Sequence, residues 1–136
     1  MAGTFKFELV SPERVLLSEN AEQVVLSGTE GDFTVLAGHA PVIATLLPSV
    51  IHATLPDPHG KKAIYIKGGF AEVTPDTLSV LVQHAFITDE ADPRQIDDEL
   101  AAVEAAMDAE QDDEARIHLS RALDNLKALQ AEKRGG

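Results

Sequence analysis

The chain has 136 residues, 44% of them hydrophobic and 25% charged, a composition typical of globular domains and long enough to bury a core without disulfide staples. Its 11 lysines and arginines face 23 aspartates and glutamates, a formal net charge of −12, which argues against nucleic acid or anionic lipid as a direct partner. There is no cysteine, so disulfides, thiolate nucleophiles and cysteine-ligated metals are excluded. No run approaches the ~18 apolar residues of a membrane-spanning helix, so no direct membrane insertion is expected.

Met1-Ala2-Gly3-Thr4 leads straight into Phe5-Lys6-Phe7-Glu8-Leu9. That alternation suits a half-buried strand and not a signal peptide, and a cytoplasmic protein is expected. Short strand-like runs follow: Val15-Leu16-Leu17, Val24-Val25-Leu26, Phe33-Thr34-Val35-Leu36, then Val42 to Leu47 and Val50 to Leu55. Pro56-Asp57-Pro58-His59-Gly60 cannot continue a strand and reads as a turn. Ala63-Ile64-Tyr65-Ile66, Phe70-Ala71-Glu72-Val73 and Leu78-Ser79-Val80-Leu81-Val82 complete a series of about ten short strands. Many short strands rich in Val, Ile and Thr predict a sandwich or flattened barrel over residues 1–87. Tyr65, the single tyrosine, reads as a packing residue.

From Asp92 the period becomes helical. Asp92 suits an N-cap, Pro93 the first helical position, and Gln95 the partner position of a capping box. Ile96, Leu100, Val103 and Met107 form one apolar stripe. The polar stretch from Asp108 to Asp113 interrupts it, and Ala115, Leu119, Ala122, Leu123 and Leu126 form a second stripe. Two amphipathic helices with a short connection predict an antiparallel hairpin over residues 88–136. Charge is uneven: residues 1–86 hold 9 acidic and 5 basic side chains, residues 87–136 hold 14 and 6.

Side chains able to do chemistry are few. His39, His52, His59, His84 and His118 show no metal-ligand spacing. Ser27-Gly28-Thr29-Glu30-Gly31-Asp32 and Gly68-Gly69 lack the Gly-Lys-Ser/Thr that a phosphate loop requires, and read as tight turns or close backbone approach. No Gly-x-Ser-x-Gly elbow is present. The stretch Glu30 to Pro41 gathers a carboxylate pair, two glycines, His39 and a proline into a stiff corner that presents Glu30, Asp32 or His39 outward. A structural turn with solvated polar side chains accounts for the same residues. A small metal-dependent enzyme built on His39, Asp32 and a second histidine stays open at this stage, as does a free-standing β-sandwich adaptor module.

Ser27-Gly28-Thr29-Glu30-Gly31-Asp32-Phe33-Thr34-Val35-Leu36-Ala37-Gly38-His39-Ala40-Pro41 resembles a signature of the epsilon subunit of F-type ATP synthases. Gly68-Gly69-Phe70-Ala71-Glu72-Val73 is similar to that family's second signature, and the order of sandwich then hairpin agrees along the whole chain. The resemblance implies a non-catalytic rotor subunit without a cofactor. It implies a place beside the gamma subunit on the central stalk and against the c-ring, peripheral on the cytoplasmic face of the bacterial inner membrane. By position, Glu30, Asp32 and His39 match the loop facing the polar loops of the c-ring. In some members the hairpin extends and inhibits ATP hydrolysis through basic side chains of its second helix. Arg116, Arg121 and Lys127 match that role toward the alpha and beta catalytic subunits. Some members bind ATP through Ile/Leu-Asp-x-x-Arg-Ala, placed here at Glu110-Gln111-Asp112-Asp113-Glu114-Ala115, where Glu114 replaces the arginine. A triphosphate would face carboxylates there, and tight ATP sensing is not expected.

Overall fold

The computed structural model describes residues 3–58, 60–88 and 92–134, so His59 lies outside the described residues. The chain divides into two compact units, Met1–Ile87 and Thr88–Gly136. Among the described residues the first unit holds eight strands and the second two helices.

The strands are β1 (Phe5–Val10), β2 (Val15–Ala21), β3 (Gln23–Gly28), β4 (Gly31–Leu36), β5 (Val42–Thr54), β6 (Lys61–Val73), β7 (Thr77–Leu81) and β8 (Ala85–Ile87). Hydrogen bonding runs in the order β2-β1-β7-β6-β5-β3-β4, with β8 on β6. All pairings are antiparallel except β1 with β7. The result is a β-sandwich in which β5 and β6 belong to both layers. β7 pairs with residues 70–73 of β6, whereas β8 pairs with residues 64–66 and β3 pairs mainly with the far end of β5.

Each of these two long strands reads as two short ones in the sequence, so the nine runs named there become seven strands, and the short β8, Ala85–Ile87, makes eight. The β5–β6 register runs unbroken from Val42 opposite Val73 to Thr54 opposite Lys61. Pro48 lies inside β5 and removes a ladder donor; Gly68 and Gly69 lie inside β6 beside it. On the other side of β5 the register with β3 slips between Val25 and Gly28. These breakers do not end the strands. They form the corner at which the sheet passes from one layer to the other.

Alternation directs Phe5, Phe7 and Leu9 inward and leaves Lys6 and Glu8 outside, where they pair at 3.2 Å. The core adds Val24, Leu26, Val35, Ile51, Ile64, Ile66, Leu78 and Val80, all nearly inaccessible. Burying each such side chain contributes ~1.5–3 kcal/mol. Tyr65 is buried, as expected of a packing residue, and stacks on Phe86 with ring centroids 5.2 Å apart.

The second unit is α1 (Pro93–Ala109) and α2 (Asp113–Arg134). The expected capping box is present: Asp92 Oδ1 accepts from Arg94 N at 2.9 Å, and Gln95 Oε1 from Asp92 N at 2.9 Å. Ile96 and Val103 of α1 and Ala122, Leu126 and Leu129 of α2 are buried. Gln130 Nε2 donates to Asp97 Oδ1 at 2.7 Å, tying the end of α2 to the start of α1 as an antiparallel hairpin requires. Leu100 and Met107 are only half-buried, and the buried Glu99 stands beside the apolar stripe.

Candidate functional site

β3 and β4 form a hairpin in which Ser27 faces Asp32 and Gly28 faces Gly31, leaving Thr29 and Glu30 at the tip. Gly31 has φ +125°, open to glycine and strained for other residues. Gly28 is needed for a different reason: a Cβ there would lie 3.2 Å from the Gly31 carbonyl oxygen and from the Phe33 ring. Thr29 N donates to Thr45 O at 2.9 Å and pins the tip to β5. Glu30 and Asp32 are therefore held together, exposed, on a rigid tip.

His39 belongs to another corner. His39 N donates to Leu36 O at 3.1 Å, and Gly38 at φ +79° takes the third position of a type II turn. Gly38 N donates to Pro75 O at 3.0 Å, which anchors this turn to the β6–β7 connection. The His39 ring donates from Nδ1 to Ala40 O at 2.8 Å. The stretch of β4 from Asp32 to Leu36, about 14 Å at the usual rise per residue, separates this turn from the Glu30–Asp32 tip. The single corner read from the sequence is thus two, at opposite ends of one strand. The arrangement of Asp32, His39 and a second histidine is not assembled: His52 and His84 sit exposed on other elements. Among the described residues no three histidines or carboxylates converge.

The sandwich carries an exposed apolar patch that no motif in the sequence marks as such. Register places Val15 beside Val10, Val10 beside Leu81, and Leu81 beside Phe70. These residues form one row across four strands on the outer face of a layer, with Ile43 diagonal to Phe70. Phe70 is 58% exposed, Val15 55%, Leu81 51% and Ile43 79%. A groove of about 790 Å³ runs along it, lined by Val10, Pro12, Lys67, Gly69, Phe70 and Leu81 among others. Contiguous exposed apolar patches are features that interaction surfaces present. The sequence signal for it is a break of phase. In Thr77-Leu78-Ser79-Val80-Leu81, Leu78 and Val80 point inward, so Leu81 falls on the polar side; Phe70 does the same beside Ala71 and Val73.

On the hairpin, Arg121 and Lys127 are exposed. Arg116 is not displayed outward: its Nη1 donates to Met107 O at 2.7 Å and Glu110 O at 3.2 Å. The Ile/Leu-Asp-x-x-Arg-Ala pattern also fits elsewhere than expected. Ile96-Asp97-Asp98-Glu99-Leu100-Ala101 in α1 matches three of its four fixed positions, whereas Glu110 to Ala115 matches only Ala115. Leu100 takes the arginine's place, Ile96 is buried, and Asp97 accepts from Gln130. Three successive carboxylates without a guanidinium fork do not suit a triphosphate, so the donor set does not fit ATP.

The described residues thus form a β-sandwich with an apolar outer row and polar corners, followed by a helical hairpin, with no metal-binding cluster among them. Residues 4–88 match the model of the ATP synthase delta/epsilon chain β-sandwich domain. The chain is 41% identical over 131 residues to the ATP synthase epsilon chain of Brucella anthropi, covering 96% of each. It is also 41% identical over 130 residues to that of Parvibaculum lavamentivorans, covering 95% of this chain and 97% of the relative. A chain in the mitochondrial ATP synthase of Euglena gracilis (OSCP, F1 and c-ring) shares the fold at TM-score 0.66. That match is 24% identical and covers 95% of this chain and 81% of the other. A chain of the Tetrahymena thermophila central stalk and c-ring matches at TM-score 0.55 with 13% identity, covering 95% and 98%. The chain belongs to the ATP synthase epsilon chain family. Among the described residues no helix is long and apolar enough to cross a membrane.

Proposed function

We propose that this chain is a non-catalytic subunit of the central stalk, coupling proton-driven rotation of the c-ring to ATP synthesis in the catalytic head. The observation that carries this reading is the exposed row from Val15 to Phe70 on an otherwise well-packed sandwich. The gamma subunit is the partner for that row. A contact that holds its register passes torque without slipping, and the Glu30–Asp32 tip, pinned to β5 through Thr29, is suited to such a contact against polar loops of the ring. Polar contacts there fix register more than they add affinity. His39, at the other end of β4, makes a separate polar contact. The protein is thereby peripheral, on the cytoplasmic face of the bacterial inner membrane.

The hairpin supplies a contact to the alpha and beta subunits. Residues 88–114 hold 12 acidic side chains and one basic, whereas residues 115–136 hold two acidic and five basic. An acidic target therefore meets α2 favourably and α1 unfavourably, and Arg121 and Lys127 are the exposed cations that serve.

The test is ATP hydrolysis by a catalytic head lacking this subunit, with the full chain or a chain ending at Thr88 added back. Co-migration with gamma is recorded on the same samples. Both versions are expected to bind gamma, and only the full chain to slow hydrolysis. If both bind and neither slows it, the hairpin is structural; if neither binds, the stalk reading fails and a free-standing adaptor takes its place. Asp32→Lys is expected to reduce coupled proton pumping without weakening gamma binding. Unchanged pumping would remove the tip from the ring interface.

A further inference from the structure

The turn between α1 and α2 is closed by side chains whose contacts exist in only one arrangement of the helices. Arg116, in the first turn of α2, sends its guanidinium back to the Met107 and Glu110 carbonyls at the end of α1, at 2.7 and 3.2 Å. The Met107 carbonyl also accepts from Glu110 N at 3.3 Å. Glu110 Oε1 accepts from Asp112 N at 3.1 Å, and Asp112 Oδ2 accepts from Ala115 N at 3.0 Å, capping α2. Glu110 itself has φ −79° and ψ 129°, an extended residue that breaks the helix.

If α1 and α2 instead ran on as one helix, the Met107 carbonyl would accept from the Gln111 amide and the Glu110 carbonyl from the Glu114 amide. Arg116 would stand nine residues from Met107, about 13 Å along the axis and beyond the reach of its side chain. The Asp112 cap would vanish with the helix start. Arg116 thus contacts the bent form and has no equivalent contact in the straight one. That difference is what a residue needs in order to bias an equilibrium between them.

We propose that Arg116 is a conformational latch that holds the two-helix unit bent, a positioning residue with no partner contact of its own in that form. The guanidinium neutralises the negative end of the α1 dipole and donates to two carbonyls at that end, Met107 and Glu110. The acidic surroundings, with Asp112, Asp113 and Glu114 at the start of α2, keep a positive charge at the turn favoured. The inference stands on the geometry of the hairpin and does not depend on the stalk role. If that role holds, Arg116 becomes available to a partner only after the hairpin straightens, while Arg121 and Lys127 are exposed in the bent form.

The chain has no cysteine, so Ala101→Cys with Ala128→Cys, both exposed positions, places two spin labels uniquely on the full-length protein. Bent, the labels sit on helices whose axes lie about 10 Å apart; straight, they are separated by about 40 Å along one helix. Arg116→Ala in this background is expected to raise the long-distance fraction about tenfold, a shift of about 1.4 kcal/mol. Arg116→Lys keeps charge and stem but loses the fork, and is expected to give a smaller rise. Lys127→Ala removes a cation away from the turn and is expected to match the parent. An Arg116→Ala distribution identical to the parent overturns the latch. So does equal opening by Lys127→Ala, which would make overall charge the cause. Should Arg116→Ala lose helical circular dichroism, Arg116→Lys decides alone, and an unchanged distribution there overturns the proposal.

Discussion

Gly69→Ala is expected to destabilise the β unit by about 3 kcal/mol, lowering its melting temperature by roughly 15 °C. A Cβ at this position would run into the Leu81 carbonyl oxygen, and it would also lie 3.0 Å from Val82 Cγ1 and 3.3 Å from the Leu81 carbonyl carbon. The obstacle is the backbone of the neighbouring strand, so no rotamer change relieves it. β7 must move away or β6 must twist, and either weakens the pairing of Phe70 with Leu81. Gly69 also holds φ +156°, a conformation that side chains resist. Gly38→Ala is the control: it carries φ +79° but has nothing within 4 Å of the added carbon. Its cost is the left-handed strain alone, about 1–2 kcal/mol. Thermal unfolding of the full chain, followed in the far ultraviolet, separates the two. Equal shifts would mean that strain outweighs the clash and that the sheets have room to separate at the corner.

The same glycine shows where the sequence is legible and where it is not. Alternation around Phe7 and the Asp92-Pro93-Gln95 cap are local patterns, and local physics produces them as expected. Close backbone approach is among the readings that Gly68-Gly69 allows, and it is the one the fold uses. That Pro48 and these glycines lie inside continuous strands depends on pairing with partners about twenty residues away, Pro48 with Lys67 and Gly69 with Leu46, which no local window contains. His39 and Asp32 are seven residues apart, but a strand between them turns sequence proximity into spatial separation. Arg116 looks like a solvated helical cation because its acceptors are backbone carbonyls, identical in every sequence. Spacing and composition read side chains well. They are blind to contacts whose other half is main chain.

Phe70→Asp is expected to weaken association with the gamma subunit by about 30-fold or more, while the melting temperature barely changes. Phe70 is 58% exposed, so its ring contributes little to the sandwich core, and a surface substitution away from caps and packing typically stays within about 0.5 kcal/mol. Binding behaves otherwise. An exposed aromatic side chain in an apolar row, with Leu81 on one side and Ile43 diagonal to it on the other, has the features of an interface anchor. Truncating such anchors costs 2 kcal/mol or more, at least about 30-fold in Kd. A buried carboxylate adds its own desolvation penalty. Leu81→Asp should act in the same direction, and because the two residues are cross-strand neighbours the double variant should fall short of the sum. Ile117→Asp on α2, at 61% exposure, removes a comparable apolar surface from a different element and is expected to leave gamma binding intact. Titration of each variant against gamma by calorimetry makes the comparison. Weakening by Ile117→Asp with no effect from Phe70→Asp would move the gamma contact from the sheet to the hairpin. The row across β2, β1, β7 and β6 would then need another partner, since a monomer gains nothing by leaving four neighbouring apolar side chains in water.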